Sequence, residues 1–137
     1  LDVMTIQLNR EISRFPGRPI WLIGYSGGGA LAMLLAPRLK RVDHLVTVAA
    51  NLDIAAWADH HKQPRLLQSI NPATQPPLPR SISQRHLFGA DDNNVPARLM
   101  RQVGDQQENA EVHVIKGQDH RCCWAQQWPA LLLDELK

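Results

Sequence analysis

The sequence has few cysteines, few aromatic residues and no strong excess of either charge. Its only cysteines, Cys122 and Cys123, are neighbours, and neighbouring cysteines rarely form a relaxed disulfide. They do not provide the disulfide framework of a small secreted protein. Fifteen basic and thirteen acidic residues give a net charge of +2, and no basic stretch is dense enough to indicate nucleic-acid binding. No apolar run approaches the ~20 residues of a membrane span, so we expect no transmembrane segment.

The length and the apolar content are those of a globular protein. The chain has 137 residues, of which 44% are hydrophobic, and this is enough for one domain with a buried core. We therefore expect residues 1–137 to form a single domain. The chain begins at Leu1 without a signal-like segment. Its composition indicates neither a compartment nor an oligomeric state.

Predicted helices and strands alternate along the chain. The helical periodicity and the short apolar runs predict helices over 3–15, 28–39, 54–61, 65–70, 97–103 and 122–136, and strands over 20–23, 44–50, 84–88 and 111–115. Such alternation predicts an α/β fold, a parallel sheet of about four strands with helices on both faces. Functional side chains in such sheets gather at the carboxyl ends of the strands.

A glycine-rich turn follows the first predicted strand. It reads Gly24-Tyr25-Ser26-Gly27-Gly28 and leads into an apolar helix, which is the pattern G-x-S-x-G of a nucleophile elbow. We expect glycine at both Gly24 and Gly28 for steric reasons, because the strand and the helix approach each other closely there. The pattern makes Ser26 a candidate nucleophile.

A serine hydroxyl needs a base and a group that orients the base. His120 is the best-placed histidine, in the loop after the fourth predicted strand, whereas the others lie in strands or in the irregular segment. Asp91 and Asp92 follow the third strand and Asp53 follows the second. From their positions alone, any of the three aspartates is a candidate acid.

Three motifs in one order resemble the α/β-hydrolase superfamily. They are the elbow around Ser26, the acid loop 88–96 with the pattern G-x-x-D-x-x-V-P, and the histidine loop Gly117-Gln118-Asp119-His120. The resemblance implies Ser26 as nucleophile, Asp92 as acid, His120 as base and the Gly27 N–H as an oxyanion donor. It implies a serine hydrolase that cleaves a small-molecule ester through an acyl-serine intermediate, with no metal and no organic cofactor.

The resemblance covers only part of the family's fold. Family members have several strands before the elbow, and a loop after one of them gives the second oxyanion donor. The chain therefore resembles the C-terminal half of a hydrolase, a partial α/β-hydrolase fold. The strand before Ser26 is then expected to have an unpaired edge.

The segment 52–82 lies between the second and third predicted strands and ends in a proline-rich link. We expect it to be a short irregular insertion that covers the pocket, with Leu52 and Trp57 as candidate substrate contacts. Tyr25, beside the nucleophile, is a third candidate contact. Core packing of Trp57 is an equally good interpretation.

Alternative functions remain open. One is a non-catalytic hydrolase remnant or interaction domain. Another is a nucleotide-binding module that uses the glycine turn 24–32, with Gly27-x-Gly29-x-x-Ala32 as a fingerprint and Asp53 as the ribose-binding acid. A metal cluster of Asp119, His120, Cys122 and Cys123 is disfavoured because adjacent cysteines fit a tetrahedral site poorly, and Asp59-His60-His61 is better interpreted as a solvated helix face.

Overall fold

A computed structural model describes residues 1–136 as alternating helices and strands. The strands are β1 (Trp21–Tyr25), β2 (His44–Val48), β3 (Ser83–Gly89) and β4 (Ala110–Ile115). The helices are α1 (Asp2–Ile12), α2 (Gly27–Leu35), α3 (Ile54–His60), α4 (Ala97–Asp105) and α5 (Trp124–Leu136), with short 3-10 helices at Ala36–Arg38 and Pro72–Thr74.

The four strands form one parallel sheet in the order β1-β2-β3-β4. Tyr25 at the end of β1 is in register with Val48 at the end of β2, and Val48 is in register with Leu87. The loops that follow β1, β2 and β3 therefore all lie at the carboxyl end of the sheet. The predicted four-stranded parallel sheet is confirmed.

Apolar side chains on both faces of the sheet explain the continuous apolar runs in its central strands. Leu45 on β2 packs into a core under α2 and α4, and its neighbour Val46 packs into a second cluster against α5. Helices cover both faces, as predicted. The larger core includes the buried side chains of Met33, Leu52, Leu78, Phe88, Val95 and Met100.

Some helix boundaries differ from the predicted ones. Helix α2 ends at Leu35 and gives way to the 3-10 helix that contains Pro37, because proline lacks the N–H that would continue the α-helical ladder. The helix predicted over 65–70 is absent. That segment is short, and Leu66 and Leu67 are exposed, so no buried apolar face compensates for the cost of nucleating a helix.

Two further findings concern the expectations from composition. The side chains of Cys122 and Cys123, the adjacent pair singled out in the sequence, lie in contact directly before helix α5. None of the helices found within residues 1–136 is long and apolar enough to pass through a lipid bilayer.

Candidate active site

Ser26 lies between the end of β1 and the start of α2. Its backbone has φ 52° and ψ −123°, a conformation that side-chain-bearing residues rarely adopt. Two backbone hydrogen bonds hold it there: Ser26 N–H donates to the Val48 carbonyl over 2.8 Å, and Gly29 N–H donates to the Ser26 carbonyl over 3.0 Å. The turn therefore fixes Ser26 at the carboxyl end of strand β1.

Close packing requires glycine at Gly24 but not at Gly28. A Cβ atom on Gly24 would lie 2.6 Å from the Gly28 carbonyl carbon and 2.7 Å from Gly29 Cα. A Cβ atom on Gly28 would meet nothing within 4 Å, whereas one on Gly29 would collide with the Ala50 side chain. The steric expectation for Gly28 is wrong, because α2 approaches the sheet through Gly29.

Hydrogen bonds connect Ser26, His120 and Asp92. Ser26 Oγ lies 3.0 Å from His120 Nε2, and His120 Nδ1 lies 2.8 Å from Asp92 Oδ2. A carboxylate oxygen accepts, so Nδ1 carries the ring hydrogen and Nε2 is left to accept from the Ser26 hydroxyl. The Asp92 side chain is 0% exposed and that of His120 is 15% exposed, so both hydrogen bonds are largely shielded from water.

The backbone of the acid loop orients the Asp92 carboxyl. Asp92 Oδ1 accepts from Asn94 N–H over 2.9 Å and from Val95 N–H over 2.7 Å, which leaves Oδ2 for His120. The neighbouring Asp91 is exposed. Asp53 instead caps α3, where its Oδ1 accepts from the Ala56 N–H and the Asn71 amide. Of the three candidate acids, only Asp92 contacts the histidine.

Gly27 provides a backbone donor beside the serine. It is the first residue of α2, so its N–H has no acceptor within the helix, and no hydrogen bond from it is found to a backbone carbonyl of residues 1–136 or to a side chain of residues 1–132. The N-terminal end of a helix also favours negative charge. This N–H is suited to bind an oxyanion that forms on an atom next to Ser26 Oγ.

The loop that carries His120 packs directly on the acid loop. Asp91 N–H donates to the Gln118 carbonyl over 2.9 Å, and a Cβ atom on Gly89 would lie 2.9 Å from the Gln118 carbonyl carbon. The fully buried Gln118 side chain accepts a hydrogen bond from the Cys123 N–H, directly before helix α5. The sequence did not single out Gln118, although it stands beside Asp119 and His120 in the histidine loop.

Asp119 shapes the turn after the histidine without contacting it. Its Oδ1 accepts from Arg121 N–H over 2.8 Å and from Cys122 N–H over 2.6 Å, and these backbone hydrogen bonds lower the pKa of the Asp119 carboxyl. Among the side chains described, those of residues 1–132, no three histidine, cysteine or acidic residues come together to hold a metal ion.

The three candidate substrate contacts lie in different environments. The Tyr25 hydroxyl donates to the His120 backbone carbonyl over 2.5 Å, and burial, followed by the nearby Asp92 charge, raises the pKa of Tyr25. Leu52 is 0% exposed in the core and presents no surface to a substrate. Trp57 is half-buried, and its indole N–H donates to the Asn94 carbonyl. Sequence reasoning missed Asn94, for which the only signal was its position in the acid loop.

The remaining histidines lie outside this network. His86 is buried in the sheet, where it contacts Thr47 and Gln84. His113 contacts Glu111, and His44 stacks on Trp21. His60 and His61 follow one another at the end of α3, where they contact Arg98 and Asn94 respectively.

No protein-family model matches the sequence, and no curated protein sequence matches it. Several solved structures are similar to the chain. An alpha-beta serine hydrolase homologue from Coxiella burnetii superposes with a TM-score of 0.71 over 98% of this chain at 18% identity. An esterase from Pyrococcus furiosus gives a TM-score of 0.72 over 96% of the chain at 15% identity, and MenH from S. aureus gives 0.70 over 97% at 14%. The chain has the α/β-hydrolase fold.

The likeness covers only part of these structures. The chain spans 57% of the Coxiella burnetii protein, 59% of the Pyrococcus furiosus esterase and 73% of MenH. It therefore corresponds to a partial α/β-hydrolase fold, as expected from its motifs.

Proposed function

We propose that the chain carries the catalytic triad of a serine hydrolase that cleaves a small-molecule ester through an acyl-serine intermediate. The observation that carries this proposal is the continuous hydrogen-bonded series Ser26–His120–Asp92. Because the Asp92 carboxylate can only accept, the imidazole hydrogen is assigned to Nδ1. That arrangement leaves Nε2 free to take the serine proton, which is the requirement for general-base activation of a hydroxyl.

The reaction follows from this geometry. Ser26 Oγ attacks the ester carbonyl carbon while its proton passes to His120 Nε2. The bond to the alcohol then breaks, and the His120 imidazolium returns the proton to the departing alkoxide. Water gives a proton to His120 and attacks the acyl-serine; the carboxylic acid leaves, and the proton returns to Ser26 Oγ.

Charge develops on the carbonyl oxygen in both tetrahedral intermediates. The free Gly27 N–H supplies one donor for that oxygen. A second donor from an additional polypeptide segment is expected to increase the rate by about 10²- to 10³-fold, the usual effect of one oxyanion-hole group. Asp92 stabilises the imidazolium and keeps its ring in place.

The neighbouring structures support ester substrates. An esterase and a monoacylglycerol lipase are among the similar solved structures, at 15% identity each. Of the three candidate substrate contacts, Tyr25 bonds to His120, Leu52 is buried, and Trp57 packs against the core and bonds to Asn94.

A fluorophosphonate probe tests the proposal. Ser26 Oγ would form a bond to phosphorus, fluoride would leave, and the hydroxyl proton would pass to His120 Nε2. We expect the probe mass on the peptide that contains Ser26, no labelling of Ser26→Ala, and unchanged labelling of Ser13→Ala, which removes an exposed hydroxyl bonded to Asn9 on α1. Asp92→Asn should slow labelling by about 10⁴-fold, because an amide N–H facing Nδ1 favours the wrong imidazole tautomer.

An absence of labelling in folded wild-type protein would overturn the catalytic proposal and favour a non-catalytic role. The nucleotide-binding alternative has less support, because Asp53, its ribose-binding acid, is engaged in capping α3.

A further inference from the structure

The carbonyl oxygen of Asn94 accepts two hydrogen bonds from the end of helix α3. Trp57 Nε1 donates over 3.0 Å, and His61 Nε2 lies 2.7 Å from the same oxygen. A carbonyl oxygen only accepts, so His61 Nε2 must carry its ring hydrogen. The two rings also pack against each other, with their centroids 4.8 Å apart. Two side chains one helical turn apart therefore converge on a single exposed loop carbonyl.

Asn94 is also bonded to the acid. Its backbone N–H donates to Asp92 Oδ1 over 2.9 Å, while the other carboxylate oxygen faces His120. The peptide group that contains the Asn94 carbonyl also contains the Val95 N–H, which donates to Asp92 Oδ1 over 2.7 Å. A series of hydrogen bonds therefore runs from α3 through the Asn94–Val95 peptide, Asp92 and His120 to Ser26, each 3.0 Å or shorter. We expect a shift of this peptide group to change the direction of the Asp92 carboxylate that faces His120.

Helix α3 is itself anchored at its other end. Asp53 Oδ1 caps the helix at Ala56 N–H, and the Asn71 side chain accepts from Ile54 N–H over 3.0 Å while it donates to Asp53. Asn94 is exposed in the loop between β3 and α4, and the hydrogen bonds to its carbonyl come from Trp57 on α3 and from His61 directly after it.

We propose that Trp57 and His61 are positioning residues, which hold the Asp92 carboxylate through Asn94 in the orientation that His120 requires. This inference rests on the proposed function, since Asp92 orients a catalytic base only if Ser26 is a nucleophile. It gives the segment between β2 and β3 a role in aligning the triad. Misplacement of reacting groups by a fraction of an ångström to 1 Å is enough to reduce rates substantially.

The test distinguishes the loss of hydrogen bonds to the Asn94 carbonyl from the loss of side-chain packing. Trp57→Phe keeps an aromatic ring and loses the N–H, and His61→Ala loses the second donor. His61→Gln is the rescue variant, because its side-chain amide places an N–H close to the position of the imidazole Nε2. His60→Ala is the neighbouring control: it removes the adjacent histidine, which contacts Arg98 over 3.3 Å and the His61 ring edge-on but makes no hydrogen bond to Asn94.

Two measurements are made on every variant. The first is the rate of Ser26 labelling by a fluorophosphonate. The second is the NMR signal of the His120 Nδ1 hydrogen, whose exchange with water reports on the Asp92–His120 hydrogen bond without requiring activity. Thermal unfolding of each variant is recorded in parallel to show that it is folded at the assay temperature.

We expect the Trp57→Phe/His61→Ala double variant to label roughly 10- to 100-fold more slowly and its Nδ1 hydrogen to exchange faster. Trp57→Phe/His61→Gln should recover part of the labelling rate and part of the protection of the Nδ1 hydrogen. His60→Ala should match wild type in both measurements. Unchanged labelling and exchange in a folded double variant would overturn the inference, as would an equal effect of His60→Ala. Absent labelling of wild type would refute the proposed function instead, and faster Nδ1 exchange in the double variant would still support the positioning contact.

Discussion

The Tyr25 hydroxyl donates to the backbone carbonyl of His120 over 2.5 Å, and the two rings lie tilted with centroids 5.4 Å apart. Tyr25 immediately precedes Ser26, so the residue before the proposed nucleophile is bonded to the loop that carries the proposed base. The sequence predicted Tyr25 as a substrate contact. From its hydrogen bond we expect Tyr25 also to support the His120 loop.

Tyr25→Phe should therefore slow Ser26 labelling by roughly 5-fold, which corresponds to the loss of one hydrogen bond of about 1 kcal/mol. Burial raises the pKa of Tyr25 above its ordinary value, so the hydroxyl stays protonated from pH 7 to pH 9 and the wild-type to variant ratio should stay constant over that range. The ratio is measured from labelling rates across that range. A variant that labels as fast as wild type would show that the contact does not support the histidine.

The sequence predicted those parts of the molecule that depend on local patterns. Strands β1 to β4 and the positions of Ser26, Asp92 and His120 at strand ends follow from apolar runs and loop motifs, which act within a few residues. The parallel sheet follows from the alternation of these runs with helices.

What the sequence did not predict depends on contacts between distant segments. Asn94 and Gln118 are ordinary loop residues by pattern, and their roles arise only when the acid loop meets α3 and the histidine loop. Leu52 was placed at the pocket because it follows a strand, but its side chain turns into the core. No local pattern distinguishes these outcomes.

The two glycines of the elbow should respond in opposite ways to alanine. At Gly24 the new Cβ would lie 2.6 Å from the Gly28 carbonyl carbon, so Gly24→Ala should disrupt the turn and abolish labelling of Ser26. At Gly28 the Cβ would meet nothing within 4 Å, inside the first turn of α2. Gly28→Ala should therefore stabilise the protein by about 0.5 to 1 kcal/mol through the helix preference of alanine.

Urea unfolding and labelling of both variants measure this difference. Equal losses of stability in Gly24→Ala and Gly28→Ala would contradict the assignment of the close contact to Gly24. Each variant changes one hydrogen to one methyl group within the same motif, so each serves as the other's control.

Stability should fall in mild acid because of His86. This histidine is fully buried beside Thr47 and Gln84, and burial lowers its pKa from 6.5 to about 4. Between pH 6.5 and 4 the unfolded chain binds a proton that the folded chain does not. The contribution of His86 is therefore constant above pH 6.5 and declines as the pH falls, by up to about 3 kcal/mol at pH 4.

Urea unfolding at several pH values from 7 to 4 should reveal this decline. His86→Gln removes the titrating group, so its stability should depend less on pH over that interval, even if it is lower at pH 7. His113→Gln is the control, because His113 lies exposed on the neighbouring β4. A His86→Gln profile parallel to that of wild type would assign the pH dependence to other groups.

The outer edge of β1 should cause the 137-residue chain to self-associate. Ser26 N–H and the Ile20 carbonyl both bond to the β2 side, so the backbone groups of Trp21, Ile23 and Tyr25 point to the opposite edge. Within residues 1–136 no strand pairs with them. The side chains of Ile23 and Tyr25, 46% and 45% exposed, border an apolar groove of about 420 Å³ beside Trp124 and Trp128.

An unpaired, apolar strand edge is a template for edge-to-edge pairing, and a lysine on such an edge opposes it. Ile23→Lys should therefore shift the chain towards monomer in sedimentation velocity at matched concentrations. Ile6→Lys is the control, since it places the same charge at an exposed apolar position on helix α1. Equal effects of the two lysines would assign the association to general surface hydrophobicity, whereas a selective effect of Ile23→Lys would assign it to the backbone edge of β1.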